Sequence, residues 1–186
     1  NDGRMGGFSD WDAIEDRNRD IEVRGRGESG QSIIDDSANS FHMDMWDNQD
    51  HRLFVIVEKA ALAGVMERVC REYDVPLLAA RGYPSVSIVR ELVMEHISPT
   101  VYDQQAIILH FGDHDPSGID MTRDLDDRIA IFAKEYVDNG GHAPKVIRLA
   151  LTMDQVSEKN PPPNPAKVTD SRFEGYRKIY GDESWE

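Results

Sequence analysis

The chain is short of cysteine, short of cations and without any long apolar run, and each shortage removes a class of protein. Cys70 is the single cysteine, so no internal disulfide can form and a stapled secreted scaffold is excluded. It falls inside the periodic stretch LAGVMERVCREY, which predicts a small buried hydrophobe in a reducing, cytoplasmic compartment. No stretch approaches the ~20 apolar residues that span a bilayer, and the N-terminus lacks the apolar core of a signal peptide. Membrane roles drop out on that ground. Cations are the third shortage: 21 Lys+Arg against 35 Asp+Glu give a formal net charge of −14, whereas a general nucleic-acid binder carries a basic footprint. The sequence opens NDGRMG, with no initiator methionine, and stops at DESWE in mid-pattern. Both ends point to a piece of a longer protein, whose remainder would hold the basic surface.

What is present is ordinary for a globular domain: 186 residues, 39% hydrophobic and 8% aromatic, enough for one domain with appendages. Residues 1–52 are rich in Asp, Glu, Arg, Gly, Ser and Asn, with short apolar clusters FSDWDAI and FHMDMW. They read as an acidic linker carrying one or two short packed elements. From Leu53 the texture changes. LFVIV (53–57), VPLLAA (75–80), AIILHF (106–111) and KVIRLAL (145–151) are continuous apolar runs of the kind that fill strands covered on both faces. Between them lie three helical stripes: Leu62, Val65, Met66, Val69 and Tyr73; Val86, Val89, Leu92, Val93 and Ile97, with Pro99 beyond; and Leu125, Ile129, Phe132 and Tyr136, closed by a left-handed cap at NGG (139–141). The order β-α-β-α-β-α-β predicts a Rossmann-like α/β fold, a four-stranded parallel sheet flanked by helices, over residues 53–151. Residues 152–186, with a proline-rich crossing and a short helix around Ser171–Tyr180, form a C-terminal extension. There is no internal repeat.

The chemistry concentrates in HFGDHDPSGIDM (110–121), where Asp113, Asp115 and Asp120 follow a buried strand. A calcium loop fits poorly, because the eighth position is Asp120, the twelfth is Asp124 rather than Glu, and the entering segment is β-like. Ser117 with Asp120 three residues on, ahead of a helical stripe, reads as an N-cap with a returning carboxylate, and the alternative for Asp120 is a ligand role. Asp124, Asp126 and Asp127 read as a solvated helix face. Asp113 and Asp115 alternate on an extended segment that can aim both carboxylates to one side, and like charges so close call for a cation. An all-oxygen donor set suits magnesium, which keeps waters and substrate phosphates. Gly112 and Gly118 allow close approach of a backbone or phosphate. Glu58 closes the first apolar run; the bland reading is a helix-start residue paired with Lys59. Topology offers another, since both Glu58 and Asp113 fall at the carboxyl ends of strands, where open α/β sheets bind ligands.

A Glu closing strand one and a D-x-D closing strand three resemble the pattern of the Toprim domain found in topoisomerases, primases and related nucleases. GDHDPSGIDM is most similar to the form in the A subunit of type IIB topoisomerases (the topoisomerase VI type) and the meiotic double-strand-break protein. ARGYPS (80–85) and LALTMDQVSEKNPPPNPAKVTDSR resemble that family's glycine turn and the stretch after its fourth strand, so the likeness covers residues 53–186. The resemblance implies Glu58 as acid/base or metal-linked glutamate and Asp113 and Asp115 as Mg²⁺ ligands, with Mn²⁺ as a substitute, acting on DNA phosphodiesters in strand cleavage and transfer. It further implies a winged-helix domain with the nucleophilic tyrosine, upstream or in another chain, and allows a homodimer. His110 and His114 read as packing or supporting residues, and the six tyrosines as structural. The rival readings are a non-catalytic metal- and DNA-binding scaffold, a hydrolytic Toprim nuclease using metal-activated water, and a phosphohydrolase with Asp113 as nucleophile.

Overall fold

The structure, a computed structural model, describes residues 44–99 and 103–185. Most of the expected linker, with FSDWDAI and part of FHMDMW, lies outside the described residues, as does Tyr102. In chain order the elements are β1 (His51–Val57), α1 (Ala60–Glu72), β2 (Leu77–Ala79), α2 (Val86–Glu91), a π-helical segment (Leu92–Ile97), β3 (Gln105–Phe111), α3 (Pro116–Asp138), β4 (Lys145–Ala150), α4 (Met153–Lys159), β5 (Asn164–Pro165), α5 (Phe173–Tyr180) and β6 (Glu183–Ser184). The four long-predicted strands pair in parallel in the order β2-β1-β3-β4. This is the expected Rossmann-like α/β sheet flanked by helices. Among the described residues no helix is long and apolar enough to cross a membrane.

Strand order dictates where the helices go. A right-handed crossover from β1 to β2 steps one way along the sheet, and those from β2 to β3 and from β3 to β4 step the other way. Hence, of these crossover helices, α1 covers one face, while α2, the π-helical segment and α3 share the opposite face. Alternation along the strands feeds both layers. Phe54, Ile56, Ala106 and Ile108 join Val89, Val93, Leu125 and Ile129 in the larger core, and Val55 and Val57 join Cys70, Met66 and Leu77 in the smaller. Ile56, Ile108 and Leu125 are fully buried, and side chains of that size contribute about 1.5–3 kcal/mol each on leaving water.

Helix ends follow their sequence signals. The α3 terminus closes with Gly140 at φ +99°, while the N–H groups of Gly140 and Gly141 donate to the carbonyls of Val137 and Tyr136 at 3.0 and 3.1 Å. That double bond pattern is the left-handed glycine cap expected at NGG. The first helical stripe behaves differently. Helix α1 forms, but Leu62, Val65, Val69 and Tyr73 are 44–70% exposed, and its inward face is Ala63, Met66 and Cys70. Among the described residues no second helix covers that flank of α1.

Candidate functional site

The carboxyl ends of β1 and β3 lie side by side, with Val57 opposite Phe111 in register. The residues that follow each strand therefore meet. Glu58 N–H donates to the Phe111 carbonyl at 2.9 Å, extending the ladder by one residue, and the Glu58 side chain turns back so that Oε2 accepts from the Asp113 N–H at 3.0 Å. Gly112 sits between them. A Cβ there would stand 2.8 Å from Glu58 Oε2 and 3.1 Å from the His110 ring, so glycine is what leaves room for the carboxylate.

Asp113 and Asp115, expected to act as a pair, have different partners. Asp113 Oδ2 forms an ion pair with Lys59 Nζ at 2.8 Å. Asp115 is the N-cap of α3: its Oδ1 accepts from the Gly118 N–H at 2.6 Å and from Ser117 Oγ at 3.0 Å, with Pro116 opening the helix. The cap expected at Ser117 is thus at Asp115, and Ser117 is a donor to it. Asp120, expected as the returning carboxylate of that cap, instead accepts from Tyr83 Oη, Arg123 Nε and Arg172 Nε, each at 2.8 Å. Burial alone would raise the Asp120 pKa, but the three donors hold it below the ordinary value. Asp124, expected as part of a solvated face, pairs with the buried Arg128.

The residue that sequence reasoning passed over is Arg148 on β4. Its guanidinium fills every one of its five N–H positions. Nε donates to the Leu151 carbonyl at 3.0 Å, Nη1 to the Gly118 carbonyl and Thr122 Oγ1 at 2.9 Å each, and Nη2 to the Gly112 carbonyl at 2.9 Å and to the Asp113 carbonyl. It ties the backbone on either side of Asp115 to the sheet. Burial pushes its pKa down, and the charges of Glu58, Asp113 and Asp115 oppose that shift. A lone Arg inside KVIRLAL carried the same signal as the lone Glu58 at the end of an apolar run.

Both histidines support this loop. His110 is fully buried, with Nδ1 2.9 Å from Thr122 Oγ1 and Nε2 without a partner. Burial lowers its pKa to about 4, so the ring is neutral at physiological pH. His114, also buried, pairs its Nδ1 with Tyr176 Oη at 2.9 Å and its backbone with Trp185, in two bonds of 2.8 and 2.9 Å. Edge-on contacts with the rings of Tyr176, Tyr180 and Trp185 complete the clamp. The C-terminal extension thereby holds the D-x-D loop by the residue between its aspartates. Burial pushes the Tyr176 hydroxyl up to about 12, in keeping with its structural role. Tyr73, by contrast, is half exposed at the end of α1.

No family model matches this chain, and no curated protein or solved structure does either.

Among the described residues, the group of His, Asp and Glu side chains whose candidate ligand atoms all lie within 4.8 Å of one another is Glu91, Glu95 and His96, where α2 passes into the π-helical segment. Glu58, Asp113 and Asp115 do not form so tight a group. The Lys59 ammonium at Asp113 and the helix start at Asp115 account for the spread. The electrostatics still mark Glu58. Half-burial raises its pKa above the ordinary 4.5, the Asp113 N–H pulls it down, the neighbouring Asp113 and Asp115 charges add to the rise, and Lys59 opposes them.

A pH test follows from that direction. A carboxyl whose pKa is higher in the folded than in the unfolded chain binds its proton more tightly when folded, so ionising it costs stability as pH climbs above 4.5. The cost grows up to the folded pKa and is constant beyond it. In thermal unfolding without divalent ions, Glu58→Gln is expected to melt higher than the parent at pH 7 to 8 and level with it well below pH 4. The reverse order of the two pH regimes would remove Glu58 from the strained cluster.

Proposed function

We propose that this chain is a Toprim-type domain that binds Mg²⁺ and acts on DNA phosphodiester bonds, in strand cleavage or transfer, within a larger protein of the topoisomerase VI A kind. The observation that carries the reading is the bond from the Asp113 N–H to Glu58 Oε2 at 3.0 Å, which joins the two acidic strand ends at the edge where open α/β sheets take their ligands. Glu58, Asp113 and Asp115 would hold the ion. The fit is supported by the donor chemistry, all carboxylate oxygen, and by Lys59, whose ammonium stands 2.8 Å from Asp113 where positive charge is wanted. When bound, the ion would offset phosphate charge and developing oxyanion charge.

The chain's own residues supply the rest. Glu58, with its pKa raised above the ordinary carboxyl value by burial first of all, would hold or release a proton beside the reacting phosphate. Lys59 offers a second cation to the same phosphate when it leaves Asp113. Arg148, engaged by four carbonyls and a hydroxyl, keeps the loop rigid and contributes positive potential from beneath. Against these stands the overall charge of −14, so DNA binding by this chain is expected to be weak and, with few cations to displace phosphate counterions, only shallowly dependent on salt. As the resemblance implies, the nucleophilic tyrosine is assigned to a winged-helix domain, upstream or in another chain; Tyr83 and Tyr176 are engaged in structural bonds.

Titration calorimetry with MgCl₂ and MnCl₂ tests the assignment. Asp113→Ala is expected to weaken binding by about tenfold or more, the scale already reached on losing a group that only supports a ligand. Asp115→Asn is expected to weaken it while leaving the melting temperature unchanged, since asparagine caps a helix as well as aspartate does. Equal metal affinity in parent and Asp113→Ala would sink the reading. Incubation with supercoiled plasmid and Mn²⁺ separates the mechanisms: nicking without a covalent protein–DNA adduct, lost in Glu58→Gln, favours the hydrolytic nuclease, and an adduct places the nucleophile in this chain.

A further inference from the structure

His110 supports the D-x-D loop with one ring nitrogen and leaves the other unused. It follows Ala106 and Ile108 on the side of β3 that faces α3, and it is fully buried. Nδ1 lies 2.9 Å from Thr122 Oγ1, whereas Nε2 meets no hydrogen-bonding atom among the described residues.

The Thr122 hydroxyl decides which nitrogen carries the proton. A guanidinium can only donate, so Arg148 Nη1, 2.9 Å from Thr122 Oγ1, takes one lone pair of that oxygen. The hydroxyl's own proton has two destinations. One is His110 Nδ1 at 2.9 Å; the other is the Gly118 carbonyl at 3.4 Å, which already accepts from Arg148 at 2.9 Å. The shorter bond prevails, so Nδ1 accepts and the proton of the neutral ring is on Nε2. A buried N–H without an acceptor is rare in a folded chain and calls for a reason.

The edge of the ring that carries this N–H faces Glu58. Cε1, the carbon between the two nitrogens, lies 3.1 Å from the point where a Cβ on Gly112 would stand, and Glu58 Oε2 lies 2.8 Å from the same point. Carboxylate and imidazole thus border one space, which glycine leaves open. A carboxylate that accepts an N–H makes a charge-assisted bond, about twice as strong as a neutral one.

We propose that His110 is a positioning residue for Glu58: its Nε2–H, aimed by Thr122, receives the Glu58 carboxylate when that side chain leaves the Asp113 N–H. Glu58 then has two docked positions, one on the D-x-D loop and one on the sheet, and the second frees the Asp113 N–H. This role rests on the reading of Glu58 as the acid/base or metal-linked group of the site.

Ring-nitrogen NMR of the chain labelled with ¹⁵N-histidine, at pH 7 and before any metal is added, tests the bond itself. His110 is expected to show the Nε2-protonated tautomer. Glu58→Ala is expected to move that ring proton upfield and to speed its exchange with water by about tenfold. The Nδ1-protonated tautomer, or an Nε2 proton indifferent to Glu58→Ala, overturns the proposal. Calorimetry with MgCl₂ then tests positioning. His110→Phe is expected to weaken binding by about tenfold, the scale of losing a group that orients a ligand, and His110→Gln, whose amide nitrogen can stand near Nε2, is expected to recover most of the loss. Equal weakening in both variants overturns the positioning role. Should Asp113→Ala bind metal as the parent does, the phosphodiester reading fails, and the ring spectrum still decides whether His110 holds Glu58.

Discussion

Arg148→Met is expected to destabilise the chain by about 3 kcal/mol or more, the scale on which removing one partner of a buried charged network leaves the others stranded. Methionine retains much of the side-chain volume, so the loss isolates the donors rather than a cavity. Four carbonyls, those of Gly112, Asp113, Gly118 and Leu151, lose the N–H groups that now donate to them, and Thr122 Oγ1 loses a donor. The cluster of Glu58, Asp113 and Asp115 also loses its buried counter-charge. Denaturant unfolding at pH 7 measures the effect, and added salt should recover a part of it by screening the acids. A loss under about 0.5 kcal/mol, the level of an ordinary surface change, would mean that water replaces the guanidinium without cost.

Gly118→Ala carries the second large effect, and two principles give it opposite signs. Gly118 is in the first turn of α3, where alanine is favoured over glycine by about 1 kcal/mol of helix propensity. Against that, a Cβ at this position would lie 2.1 Å from the Asp113 carbonyl oxygen and 3.1 Å from Asp115 Oδ1. The first of these atoms is backbone held by Arg148, so it cannot swing aside. Overpacking of that kind costs about 1–3 kcal/mol or more and outweighs the propensity gain. Net destabilisation by about 2 kcal/mol is expected in the same unfolding experiment, together with loosening of the Asp115 cap, visible as faster exchange of the backbone amide at position 118. A variant as stable as the parent would show that the D-x-D turn is pliant.

These two residues also mark where the sequence was legible and where it was not. The β-α alternation was plain because apolar runs and helical stripes obey different periods, and the meeting of Glu58 with Asp113 followed from parallel topology alone. The cap on α3 was harder. Ser117-x-x-Asp120 and Asp115-Pro116 both match known helix starts, and the second is the observed one, with proline at the first helical position. Asp120 went elsewhere because Tyr83 and Arg172, distant in sequence, converge on it; no local pattern encodes such a meeting. The stripe Leu62, Val65, Val69 and Tyr73 showed which residues share a flank of α1, and periodicity says nothing of whether another layer lies against that flank. Arg148 was visible as a charge within an apolar strand, but its acceptors are backbone carbonyls, which every sequence has and none advertises.

The backbone clasp between His114 and Trp185 sets a timetable for biosynthesis. The D-x-D loop leaves the ribosome before its clasp, which is made by residues about 70 positions later; at 5–20 residues per second that is roughly 4–14 s of translation. Through that interval the sheet can gather around β1 and β3 while the acidic loop still lacks the strand segment and rings that hold His114. A nascent chain therefore carries these acids in an unfixed arrangement until Trp185 has been made, and the fixing of the acidic loop is timed to that residue rather than to the formation of the core.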